Sequence, residues 1–220
     1  MTDTPLRKRM RSIDSAAIAG VIYAALTLAA LLLFRQLPDL SLSDQAITTW
    51  FDDEGHRSTL VLALSLVSMS SVAFLWFVAV IRRRIGDRED RFFATVFLGS
   101  AILYLGTYIA GAVALAAPAV AFSVLDDAAV ESGSVTLMAG TAAGMLLIVG
   151  PRIQAVFIFA TSTLILRTDA MPSWLAYVGY VAGLILFVIP LVLDPIVVGF
   201  PLWVLIVSVT IGLTRPALQS

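Results

Sequence analysis

Long apolar runs alternate with short polar connections along this chain. Six runs stand out: Ala16–Phe34, Thr59–Ile81, Phe92–Ala117, Val135–Leu166, Trp174–Leu191 and Pro195–Leu213. A helix needs about 20 apolar residues to cross ~30 Å of hydrocarbon, and most of the runs have that length. In lipid, every backbone polar group must be satisfied within the structure that spans it, which helices do segment by segment. The strict alternation of a barrel strand is absent. The pattern predicts an all-α, polytopic transmembrane helical bundle of about six spans, forming one domain over residues 1–220. The third span is expected to stop before Pro118.

The fourth run is too long for one ordinary crossing, since 32 residues make ~48 Å of helix. Gly150-Pro151-Arg152 interrupts it near the middle. A proline inside a helix removes a backbone donor and kinks or breaks the chain. One reading makes residues 151–166 the fourth span, preceded by an outer or re-entrant helix over 135–149. The other places a cytoplasmic turn at the break, giving seven spans and moving the C-terminus outside. The six-span reading is preferred, because the pieces on either side are short for full crossings.

The longest polar connection, Arg35–Ser58, contains a helix signal. Ser43 or Asp44 can cap it. Ile47, Trp50 and Phe51 then share one face, packed on the bundle or laid on the outer membrane surface. Two glycine pairs at spacing four, Gly140/Gly144 and Gly179/Gly183, suit close helix packing. Ser65, Ser68 and Ser71 recur along the second span and are expected to bond across helices or to line a polar path.

Composition strengthens the membrane reading. The chain is 60% hydrophobic and 13% charged, with a mean hydropathy of +0.97, against about 45–50% and about 25% in soluble domains. Formal net charge is −1, which gives no sign of nucleic-acid binding. The absence of cysteine removes disulfides, iron–sulfur clusters and thiol catalysis. Basic Arg7, Lys8, Arg9 and Arg11 precede the first run, but Arg35-Gln36-Leu37-Pro38 after it is no signal cleavage site, so an uncleaved span is expected. With the N-terminus in the cytoplasm, Arg82, Arg83, Arg84, Arg88, Arg91, Arg167 and Arg215 also fall inside, whereas the outer loops are acidic. That is the positive-inside distribution of a cell-membrane protein.

Candidate chemistry is sparse. Arg152 is a charge at membrane depth directly after a helix break, where broken helices of transporters place their sites. Gln154 lies two residues on, and Asp194 at the outer end of the fifth span is a candidate partner. These three are the ligand-binding candidates; the bland alternative is a structural ion pair or a snorkelling arginine. His56, the one histidine, follows Asp52-Asp53-Glu54 and reads as a solvated loop residue. The chain has no HExxH motif, no phosphate-binding G-x-x-x-x-G-K-[ST], no lysine in a span and no carboxylate near the centre of one. No catalytic residue, metal or cofactor is expected, and an enzyme is disfavoured.

Several stretches carry a resemblance: Ala19–Tyr23 opening the first span, Trp50–Arg57 before the second, Trp76-Phe77 ahead of Arg82-Arg83-Arg84, and Arg167–Trp174 leading into a glycine-containing span. The chain resembles a loosely defined group of bacterial polytopic membrane proteins without an assigned activity. The resemblance implies a bundle of six or so helices and carries over no functional residues. Two roles are expected: a non-enzymatic accessory, assembly or scaffold subunit of a membrane complex, or a transporter or binding protein for a small molecule, ion or lipid with its site near the Gly150-Pro151-Arg152 break. Beyond the lipid bilayer, the expected partners are other membrane subunits or a second copy of the chain.

Overall fold

The computed structural model of the protein describes residues 5–38, 43–85, 91–124, 132–168, 171–188 and 195–213. These form α1 (Pro5–Phe34), α2 (Asp44–Asp52), α3 (Glu54–Ile85), α4 (Arg91–Val124), α5 (Ser132–Ala143), a π-helical segment (Gly144–Val149), α6 (Gly150–Thr168), α7 (Ser173–Val188) and α8 (Pro195–Leu213). Among the described residues there is no strand. The fold is an all-helical bundle.

The helices pack in the order α1, α3, α4, α6, α7 and α8, with α7 and α8 in contact. Phe74 of α3 stands at the centre. Its ring lies 5.0 Å from Tyr23 of α1, 5.2 Å from Tyr104 of α4, 5.4 Å from Phe157 of α6 and 5.8 Å from Phe200 of α8. Tilted and edge-on pairs at such spacings add to the burial that holds the helices together. The glycine pair in α7 lets that helix approach closely. A Cβ on Gly179 would meet Ser162 Oγ at 2.1 Å, and one on Gly183 would meet the Phe159 ring at 2.6 Å. Around Gly140 and Gly144 nothing lies within 4 Å of such an atom.

A second, smaller core sits at the α2 end. Ile47 and Phe51 of α2 are buried against Leu60, Ala119 and Val135. The Ser43 hydroxyl caps α2 by accepting the Ala46 N–H, as the pattern predicted, and the apolar face of α2 packs on the bundle. α4 does not stop at Pro118 but continues to Val124, and Ala119 beyond the proline contributes to this core.

The interruption in the fourth run is not a turn. α5, the π segment and α6 follow one another in a single helical run, and α4 packs along all three. The α geometry is broken just before Gly150-Pro151 by wider turns. The Gly150 N–H reaches back five residues to the Met145 carbonyl, and a Cβ at Gly150 would stand 2.8 Å from that oxygen. Glycine is therefore what this turn accommodates. Pro151 has no N–H, so the ladder lacks a donor here. The Arg152 guanidinium donates to the Ile148 carbonyl, one turn back on its own helix.

The runs Glu54–Arg84, Phe92–Phe122 and Gly133–Thr168 are long and apolar enough to cross a membrane, and Ile18–Phe34, Ser173–Val188 and Val197–Leu213 are shorter apolar helices. Their outer faces are apolar as well: α7 exposes Val178, Val181, Leu184 and Ile185. Water would not favour such a surface, whereas lipid does. The protein is a membrane protein.

Candidate functional site

Polar side chains deep in the bundle converge on one place. Tyr104 and Tyr108 lie one turn apart on α4, so both point the same way. Tyr23 and Thr27 are spaced likewise on α1 and face them. The hydroxyls of Tyr23 and Tyr104 share a buried hydrogen bond of 2.6 Å. Tyr108 donates to Thr27 Oγ1 over 3.4 Å, and its oxygen lies 3.4 Å from Ser70 Oγ of α3. Ser70 is also held by the Val67 carbonyl at 2.9 Å. The Gln154 carboxamide of α6 borders the Tyr104 hydroxyl in the wall of the same cavity. Three helices thus form one hydrogen-bonded polar network, and α6 brings Gln154 to its edge, in an otherwise aromatic and aliphatic core.

A partly enclosed cavity of about 70 Å³ opens beside this network. Thr27, Tyr104, Thr107, Tyr108 and Gln154 supply its polar wall. The rest is apolar, from Leu31 and Phe34 on α1 through Leu115 on α4 to Val197 and Pro201 on α8. Met145, Leu146 and Gly150 bring the π segment into the lining. Leu146 is seated against α4 where Gly111 has no side chain; a Cβ there would come within 2.5 Å of it. π segments are frequent at functional sites, because an extra residue in a turn re-aims the side chains around it.

Of the candidates read from sequence, Gln154 lines the cavity. Arg152, two residues away on the helix, is not in the lining, and its guanidinium serves its own backbone. Asp194 lies outside the described residues. The serines of α3 do not form a polar path: Ser65, Ser68 and Ser71 each donate to the carbonyl four residues back, a local bond that hides a hydroxyl within an apolar helix. The neighbouring Ser70, which sequence reasoning passed over, reaches Tyr108. Tyr23, Tyr104 and Tyr108 were passed over too. The available signal was their depth, since membrane tyrosines concentrate at the interfaces and these three fall well inside their apolar runs.

The polar end near α2 is built differently. His56 stacks on Trp50 with the rings 4.3 Å apart and nearly parallel, and its Nδ1 lies 3.1 Å from the Trp50 carbonyl. Arg57 donates to the Phe51 and Asp52 carbonyls and covers the Phe122 ring. These two side chains satisfy the C-terminal carbonyls of α2, so His56 is half-buried and structural rather than simply solvated. Asp53 accepts the N–H groups of Gly55 and His56 at the start of α3. Those bonds, that from His56 foremost, hold its carboxyl below the usual value. No cluster of three metal-ligating side chains occurs among the described residues. Comparison with protein-family models, curated proteins and solved structures gave no match.

Proposed function

We propose that this protein is a multi-pass cell-membrane protein that binds a small molecule in the cavity beside the π segment. The observation that carries the reading is the cavity itself: a polar wall and a helix irregularity meet within the bundle, where bilayer packing alone calls for neither. The distribution of basic residues supports an N-terminus in the cytoplasm and the α2 end outside, and the continuous helical run from α5 through α6 supports six crossings. An accessory-subunit role would draw on exposed apolar faces such as that of α7, but bilayer lipid covers such faces equally well.

The test is to purify the full chain in mild detergent, extract it with solvent and identify what it carries by mass spectrometry. The expected result is one organic compound near one per chain, lost when Leu31→Trp fills the cavity. A chain that carries no compound and co-purifies with a fixed set of protein subunits would overturn the reading in favour of the accessory role.

A further inference from the structure

We infer that the cavity takes an uncharged molecule with a carbonyl or hydroxyl head on an apolar body, and that Gln154 and Tyr108 recognise the head. The inference rests on the cavity being a binding site, as proposed above.

Charge decides the first part. Among the described residues the lining contains no Asp, Glu, Lys, Arg or His. An ion placed there would be desolvated without a counter-charge, which a low-dielectric site opposes strongly. A neutral ligand incurs no such cost.

Hydrogen-bond accounting decides the second part. Thr107 spends its hydroxyl on the Leu103 and Tyr104 carbonyls of its own helix. Tyr104 is engaged in the short bond to Tyr23. Tyr108 is held only by two contacts of 3.4 Å, the long limit of such bonds. Gln154 can donate twice and accept twice, and among the described residues Tyr104 is the one side chain its carboxamide acts on, so most of that capacity is unspent. Gln154 therefore offers unspent donors from α6, and Tyr108 on α4 can exchange its long bond to Thr27 for a shorter one, so that an oxygen acceptor placed between them would be held by both.

Size and shape complete the description. A space of about 70 Å³ is about two waters' share of liquid volume, which suits the polar head, and the cavity is only partly enclosed, so the body extends out of it. From the polar wall the lining becomes aliphatic toward Phe34, Leu115 and Val197, which suits an apolar body behind the head. Molecules of this kind dissolve in the bilayer, the reservoir that surrounds the protein.

The experiment uses the full chain in lipid nanodiscs with three photoreactive probes that share one diazirine-bearing alkyl chain. One ends in a hydroxyl, one in a methyl group and one in a carboxylate. Labelled residues are mapped by peptide mass spectrometry. The hydroxyl probe is expected to label Met145 and Leu146 about five- to tenfold more than the other two. Gln154→Met and Tyr108→Phe should each bring it down toward the methyl probe, while Thr141→Val, outside the lining and with its hydroxyl engaged by the Leu137 carbonyl, leaves it unchanged. Tyr108→Phe removes one oxygen and keeps the ring, so it decides the matter where Gln154→Met does not fold. Equal cavity labelling by the hydroxyl and methyl probes, or a preference for the carboxylate, would overturn the head-group inference and leave the cavity a binding site. No cavity labelling by any probe would overturn the binding reading as well.

Discussion

Gly179 of α7 faces side chains of both α6 and α8, with Ser162 Oγ and Trp203 Nε1 at 2.1 and 3.3 Å from the position of a Cβ. Both side chains are buried, so an added methyl displaces groups that have little room to move. Gly179→Ala and Gly183→Ala should each destabilise the bundle by about 1–3 kcal/mol, read as a lower melting temperature in detergent. Gly140→Ala meets nothing and should be neutral or stabilising by up to about 1 kcal/mol. The two pairs have the same spacing in sequence, and only the neighbours tell them apart. Arg152 is the other instructive residue. Its charge drew attention, but its guanidinium bonds to the Ile148 carbonyl; Arg152→Met is expected to leave hydroxyl-probe labelling within about twofold of the native level, because a residue outside the lining makes no bond to the head. Asp53 predicts a pH dependence. Its carboxyl is held below the ordinary 3.8 by the N–H groups of His56 and Gly55. The capping is fully present above pH 3.8 and is lost as the pH falls through the lowered folded value. The protection of amides at the start of α3, measured against their intrinsic exchange rate at each pH, should therefore fall on acidification, and Asp53→Asn should flatten that response.

Among the elements, the π segment carries the most consequence. Gly150 permits its wide turn and Pro151 withholds the N–H that would close the ordinary one. Pro151→Ala restores the donor and should let α geometry extend through 144–149, turning Met145 and Leu146 away from the cavity. The check is the labelling pattern, which should shift from Met145 to neighbouring positions. Gly150→Ala should act the same way by pushing on the Met145 carbonyl. The Gly-Pro pair was visible in the sequence as a break, but whether the chain turns there depends on α4, which packs along both sides and keeps it straight enough to continue as helix. α2 was more legible. Its cap and its apolar face are local features within nine residues, and the partner that buries it had only to exist.

At the scale of the whole molecule, the absence of cysteine makes topology directly measurable. Ser58 and Ser173 are exposed and lie at opposite ends of the proposed arrangement. With an impermeant maleimide on intact cells, Ser58→Cys should react and Ser173→Cys should react only after lysis. The reverse result would invert the orientation drawn from the basic residues.

What the sequence by itself determined was the class of protein: a bilayer forces each crossing to be a long apolar helix, and that rule is written locally in Phe92–Phe122 or Glu54–Arg84. It did not determine which side of each helix faces inward. α4 is apolar nearly all round, so no stripe of hydrophobic residues marks its inner face, and lipid and core are equally apolar to it. Only the packing of α1, α3, α4, α6 and α8 placed Tyr23, Thr27, Ser70, Tyr104, Tyr108 and Gln154 together. Those residues lie on different helices, up to 131 positions apart, and no local pattern joins them; the tertiary structure decided the site because it alone phases the helices around a common axis.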